Sequence, residues 1–170
     1  MINIRPETPA DLTVIDSIHR AAFQNTGEAR LVQHLRDAGK LTVSLVGLDG
    51  HLPVGHIAFS PVTVASGAVG AGLAPLAVLA PHRRQGIGAQ LVTEGLQQCR
   101  AAGIGWVVVL GEPEFYARFG FVPAATVGLT DEYCGGSAFQ ALELLPGALP
   151  RDAGLVRYAT EFAGLALPQG

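Results

Sequence analysis

The sequence predicts an α/β protein whose centre is a strand-helix-strand unit with two parallel strands. Three observations carry that prediction. Leu73 to Ala80 is a short, unbroken apolar run, as a strand buried on both faces requires, and Pro81 then ends the ladder because it has no N–H to donate. Ile87, Leu91 and Cys99 recur at helical spacing with Gly95 between them, which predicts a helix over 86–102 closed by Gly103. Ile104 to Leu110 is a second buried strand by composition, so the crossover between the two is right-handed.

The other elements follow in order. Ile2 and Ile4 alternate with Asn3 and Arg5 as a first strand that Pro6 ends. Thr8 is placed to cap a helix with Pro9 at its first position, Asp11 near its positive end, and Leu12, Ile15, Ile18 and Ala22 as its buried stripe. After Asn25-Thr26-Gly27, Leu31, Val32 and Leu35 define a second helix that stops at Gly39. Thr42 to Val46 and Val54 to Ser60, joined through Asp49-Gly50, form a β-hairpin that 62–65 extends. Beyond the central unit, Glu112 to Arg118 is a short helix and Phe119-Gly-Phe121 begins a return into the sheet. Residues 122–138 are loop, and Phe139 to Leu144 is a strand. Val156, Tyr158, Thr160 and Phe162 alternate with polar or small residues as a last strand before a frayed Pro-Gln-Gly tail.

Bulk properties exclude several classes of function. A chain of 170 residues with 49% hydrophobic content suits a single domain with a sizeable core. A net charge of −3 offers no general attraction to nucleic acid, so any anion site is local. Ile57 to Pro81 carries no charged residue, but Pro61, Pro75 and the Ser66–Gly72 turn make it strand, turn, strand rather than a membrane span. Cys99 and Cys134 are too few for a disulfide framework, and the start lacks a secretory h-region; both point to the cytoplasm. The five histidines show no metal-ligand spacing, so no metal is implied.

The elbow between the central strand and helix is where a ligand is expected. The first turn of a helix offers four N–H groups without intrahelical acceptors and the positive end of the dipole, and Gly86 and Gly88 let a ligand approach that backbone. Arg83 and Arg84 add two charges that can fork onto phosphate oxygens. The lysine of a Walker A loop is missing, and the glycine spacing is not that of a Rossmann fingerprint.

Arg83-Arg84-Gln85-Gly86-Ile87-Gly88-Ala89 resembles the Gln/Arg-x-x-Gly-x-Gly/Ala pyrophosphate motif of the GNAT superfamily of N-acetyltransferases. The preceding Leu76-Ala77-Val78 is similar to that family's pantetheine-binding strand, and Gly111 to Phe121, ending in Tyr-x-x-x-Gly-Phe, to its segment after the next strand. The resemblance implies a mixed central sheet with flanking helices, in which the fourth and fifth strands are parallel and splayed; Pro75 lies where such a splay wants a break in the ladder. It implies acetyl-CoA as cosubstrate and direct transfer to an amine. A backbone N–H at Val78 would polarise the thioester carbonyl, and Tyr116 would protonate the departing thiolate.

The acceptor is then a small-molecule or peptide amine, with neither nucleic acid nor membrane as partner and the protein a monomer or homodimer. Glu28 and Glu112 are candidates for the base, though each also suits a helix dipole. His56 either faces the cleft or is a hydrogen-bonded core residue. Asp131 and Glu132 beside Tyr133 either attract a cationic acceptor or belong to a solvated loop. A catalytically silent acyl-CoA-binding regulatory module and a nucleotide-binding domain are the rival readings.

Overall fold

A computed structural model describes residues 1–165. Seven strands form one sheet in the order β1-β2-β3-β4-β5-β8-β6, from β1 (Ile2–Pro6), β2 (Val43–Asp49), β3 (Leu52–Thr63), β4 (Val69–Val78), β5 (Trp106–Leu110), β8 (Phe139–Glu143) and β6 (Val122–Pro123). Only β4 and β5 pair in parallel; every other neighbour in this sheet is antiparallel. The helices are α1 (Leu12–Phe23), α2 (Gly27–Asp37), α3 (Ile87–Ala101) and the short α4 (Pro113–Ala117).

Both faces of the sheet are covered, which is why its central strands are apolar throughout. On one face, Ile87, Leu91, Val92 and Cys99 of α3 pack on Leu45, Val54, Ile57, Phe59 and Leu73. On the other, Ile15 of α1 and Val32 of α2 cover Val46 and Leu48, while Leu31 and Leu35 join Val62, Trp106, Val108 and Phe162. Thr8 and Asp11 form a capping box on the 3-10 turn Pro9–Asp11 that leads into α1, so the predicted helix start is a tighter turn. Asp11 Oδ2 accepts from the Thr8 backbone N–H at 2.7 Å, and its two oxygens, Oδ2 and Oδ1, accept from the Arg5 guanidinium at 2.7 and 3.0 Å, which holds its carboxyl down to about 2.

The splay at Pro75 is visible in the register. β5 pairs with β4 only from Ala71 to Leu73, and the β3–β4 ladder shifts between Ile57 and Phe59, skipping Ala74 and Pro75. From Ala74 to Val78, then, β4 runs beside β3 alone, and a gap opens toward β5. β4 itself begins at Val69 and ends at Val78, earlier at both ends than the apolar run suggests, because the hairpin turn lies at Ser66-Gly67.

Two expectations are corrected. The predicted loop 122–138 contains edge strand β6, a 3-10 turn over Ala124–Val127, and β7 (Leu129–Asp131). β7 pairs in parallel with β9 (Gly154–Val156) as a separate two-stranded sheet. The predicted last strand stops at Val156: Arg157 bridges Thr63, and Thr160–Gly164 is a 3-10 helix. Alternation alone misled here, because Tyr158 and Phe162 are four residues apart and bury their rings in the same cluster by winding rather than by pleating. The expected frayed tail lies outside the described residues.

Candidate functional site

The gap beside β4 is flanked by two cavities. The first, of about 420 Å³, lies at the elbow and is lined by Val78, Arg83, Arg84, Gly86, Ile87, Gly88 and Ala89, with His82, Phe115 and Arg118. Its geometry comes from the backbone. Arg84 and Gly86 both have positive φ, 64° and 80°, which bends the chain into α3, whose first-turn residues Ile87, Gly88 and Ala89 line the cavity and carry N–H groups without intrahelical acceptors.

The two glycines differ in what they do. A Cβ at Gly86 would meet nothing within 4 Å, so glycine is favoured there by its left-handed φ. At Gly88 a Cβ would stand in the cavity, 3.9 Å from both Phe115 and Val78, so glycine is favoured there by the space it leaves open. That cradle fits an anion with a chain attached.

The arginines also divide. Arg83 donates from Nε to the Val78 carbonyl at 2.9 Å and from a terminal nitrogen to the Ala22 carbonyl at 3.2 Å, so it ties the elbow to the ends of β4 and α1. Arg84 makes no side-chain hydrogen bond among the described residues and is exposed at the mouth. Arg118, unforeseen in the sequence, lies over the Phe115 ring at 4.8 Å; the signal for it was its i,i+3 spacing from Phe115 on α4. Gln85 points away from the cavity and its amide reaches Pro81 at 3.5 Å.

Val78, the last residue of β4, lines the elbow cavity. The Leu79 N–H donates to Val54 of β3, so by strand alternation the N–H and C=O of Val78 point the other way, toward the gap. The carbonyl is taken by Arg83. Ala77 faces β3 opposite His56 and contributes no lining side chain, while Leu76 lines the second cavity.

That second cavity, of about 170 Å³, has apolar walls from β4 (Leu73 to Leu76), Leu110, Phe23 and Phe162, and holds Tyr116, Tyr158 and Glu28. Tyr116 is packed edge-on among Phe115 and Phe121, and its ring lies so close over Gly111 that a Cβ there would sit 2.4 Å from it. Burial pushes its phenol up to about 12, so the proton stays on through the neutral range. Phe115 lines the elbow cavity and Tyr116 the other, so α4 stands between them.

Glu28 is not the exposed helix-dipole partner that its first-turn position suggested: it is buried, and burial raises its carboxyl. Glu112 is exposed. Asp131 and Glu132 are occupied by the fold. Asp131 accepts from the Tyr133 and Gly135 N–H groups, and Glu132 from the Tyr158 N–H at 2.8 Å.

His56 is a core residue, and His19 joins it. His19 Nε2 and His56 Nδ1 are 2.8 Å apart, and His56 Nε2 is 2.8 Å from Ser44 Oγ. Ser44 gives its only hydroxyl proton to Glu7, which Arg36 holds with two bonds at 2.8 and 2.9 Å. The Ser44 oxygen therefore accepts from His56 Nε2–H, and His56 Nδ1 from His19 Nε2–H. Desolvation keeps both rings neutral, with His19 down at about 3. A partner 37 residues away in sequence left no local signal for this pair.

Among the described residues no group of His, Cys, Asp and Glu is placed to hold a metal, and no helix is long and apolar enough to cross a membrane. Residues 12–121 match the model of the acetyltransferase (GNAT) family. The uncharacterized N-acetyltransferase YhbS of Escherichia coli K12 is 44% identical over 162 residues, covering 94% of this chain and 97% of the relative. Among solved structures, E. coli YhbS in complex with CoA aligns at 40% identity with a TM-score of 0.92, over 99% of this chain and 96% of that one. A GNAT family acetyltransferase from Brucella melitensis in complex with acetyl-CoA aligns at 38% identity and 0.80, over 95% and 98%.

Proposed function

The chain belongs to the acetyltransferase (GNAT) family, an acetyl-CoA-dependent acyltransferase, and on that premise we propose that it moves an acetyl group to a primary amine of a small molecule or peptide by direct attack. The observation that supports this best is the gap between β4 and β5, with a cationic elbow at one end and a buried phenol at the other. On this view residues 1–170 form one acetyltransferase domain.

The elbow would hold the cosubstrate. Backbone N–H groups of the first turn of α3 and the guanidinium groups of Arg84 and Arg118 would meet pyrophosphate oxygens, with Gly88 leaving room for them and Ile87 and Ala89 shaping the floor. Leu76, Ala77 and Val78 would flank the pantetheine arm along the unpaired edge of β4. Bound there, acetyl-CoA supplies an acetyl thioester, whose carbonyl carbon gains a C–N bond from the amine and loses its C–S bond.

The protein's own groups then have three tasks. The Val78 N–H, aimed into the gap, polarises the carbonyl oxygen. Tyr116, kept protonated by burial, gives its proton to the leaving sulfur. The apolar walls exclude water, so that the amine rather than hydroxide reaches the carbonyl. The proton that the attacking nitrogen sheds leaves through a base or a water chain.

A thiol-release screen of acetyl-CoA against amines, polyamines, amino acids, aminoglycosides and peptide N-termini tests the proposal. Turnover of at least one amine is expected. Tight acetyl-CoA binding with no turnover of any would favour a silent acyl-CoA-binding module instead.

A further inference from the structure

The inner cavity contains two polar atoms that the described residues leave without a partner. Glu28 is 8% exposed and Tyr158 7%, and neither Glu28 Oε2 nor the Tyr158 hydroxyl has a hydrogen-bond partner among the described residues, although both side chains line the same cavity. Buried polar groups are seldom left unpaired, because each forfeits its hydration without return. One such atom is an irregularity of packing; an acidic one and a neutral one facing the same small space are a recognition pattern. Leu73, Leu76, Leu110 and Phe162 in the same lining add only hydrocarbon side chains.

Resting on the acetyltransferase reading, we propose that the acceptor is a compact primary amine with a single cationic centre, whose apolar body carries one neutral hydrogen-bonding group. Glu28 takes the amine nitrogen and the Tyr158 hydroxyl takes the neutral group. Size is the first argument: about 170 Å³, close to the engineered cavity of ~150 Å³ that takes up benzene, has to admit both the thioester that Tyr116 serves and the reacting end of the amine, so only a compact acceptor fits. Charge is the second. Among the described residues Glu28 is the only charged side chain in the lining, so a second ammonium would be buried with no counter-charge. Hydrogen bonding is the third: the Tyr158 phenol is neutral, raised well above its ordinary value by burial, and matches a hydroxyl or ether oxygen rather than a charge.

The 3-10 helix at Thr160–Gly164 makes the cavity selective for compact bodies. Phe162 is fully buried in its wall, and Leu165 packs so close to Gly27 that a Cβ there would sit 2.9 Å from its methyl, so the C-terminal segment closes over the start of α2 next to Glu28. A polyamine or a peptide would need that wall to move.

Three acceptors of one chain length test this: 5-aminopentan-1-ol, pentylamine and 1,5-diaminopentane. The expected order of kcat/KM is aminopentanol, pentylamine, diamine, with the diamine at least about tenfold below the first. Tyr158→Phe is expected to bring the aminopentanol-to-pentylamine ratio to about one, and Glu28→Gln to raise the KM of both at least about tenfold while acetyl-CoA affinity holds. The ratio within one preparation does not depend on the fraction folded, and melting temperatures verify both variants. A preference for the diamine or for a peptide N-terminus overturns the proposal, as does an aminopentanol preference untouched by Tyr158→Phe. If none of the three turns over, calorimetry of aminopentanol into the CoA-loaded protein decides, and no binding overturns it. Acetyl-CoA titrated into the same protein separates the two readings: without that binding the acetyltransferase reading fails, whereas binding without the amine selectivity sinks the acceptor class alone.

Discussion

The two cavities beside β4 are built in opposite ways. The elbow is made by one continuous stretch, Val78 to Ala89, plus two side chains from α4, and its polar groups are backbone N–H and guanidinium groups open to solvent. The inner cavity gathers residues from both ends of the chain, Phe23 and Glu28 at one and Tyr158 to Leu165 at the other, and its polar groups are buried. A locally built site tolerates change elsewhere and binds what many proteins bind; a site assembled from distant parts is specific to its own chain. On the proposed reading the elbow would report the shared cosubstrate and the inner cavity the private acceptor.

The largest expected effect falls on the elbow. Gly88→Val should leave the fold intact, since a Cβ there touches its neighbours only at 3.9 Å, yet abolish acetyl-CoA binding by calorimetry because the branched side chain occupies the cradle. If the variant binds normally, the cosubstrate lies elsewhere and the contrast fails. Next is Tyr116→Phe, which removes a hydroxyl from the inner cavity alone. Its kcat should drop about 10²-fold, the low end of what a positioned acid supplies, with acetyl-CoA affinity unchanged. The loss should shrink for a thioester with a more acidic leaving group. A wild-type rate, with chemistry shown to limit it, would make Tyr116 a packing residue.

Arg84→Ala sharpens the comparison further. A charge-assisted phosphate contact contributes about 1.5–3 kcal/mol, so acetyl-CoA affinity should weaken at least about tenfold while the amine KM holds. Arg83→Ala should move both, because Arg83 also ties the Val78 carbonyl to the end of α1. Equal behaviour of the two variants in both assays would show that this tie is idle.

The last effect is in stability, and it concerns the buried histidines. Their pKa values lie below the ordinary ~6.5 in the folded state, about 3 for His19, so below that pH the unfolded chain takes up protons that the folded chain refuses. Stability should therefore fall as pH drops from about 6.5, by up to about 1.4 kcal/mol per pH unit for each histidine, and for His19 until the pH nears its folded value. Glu7 and Asp11, whose folded values are depressed, add to this only below the ordinary carboxylate range of about 4. Denaturant unfolding at pH 7, 6 and 5 measures the slope, and His19→Gln should flatten it by one proton's share. An equal slope in that variant would mean His19 is protonated in the fold.

Legibility in the sequence followed the same division. The β4-α3-β5 unit, the hairpin and the two leading helices were visible because each carries its own periodicity or turn chemistry, and the elbow because Arg83 to Ala89 is contiguous. Pro75 even marked the splay. Arg84's left-handed backbone and the tie from Arg83 to Ala22 were invisible, since neither is a matter of residue type. Tyr158 was misplaced for a physical reason: a segment that winds its rings into a core and one that pleats them can share the same alternation over a few residues. Glu28 looked like a dipole partner because its burial is imposed by a segment more than 130 positions away.

Gly95 shows how directly α3 is seated on the sheet. A Cβ on this residue of α3 would sit 2.4 Å from the ring of Phe59, which is itself fully buried, so the helix rests directly on that ring with nothing between them. The first turn of α3 lies eight residues away, ~12 Å along the axis at 1.5 Å per residue. The ring acts as a fulcrum. A methyl group inserted there would tip the helix off its seat, and the tip would be felt at the first-turn N–H groups that the proposed reading aims at the phosphates. On the proposed reading, residues that touch no ligand would tune cosubstrate affinity through how deeply this helix is seated.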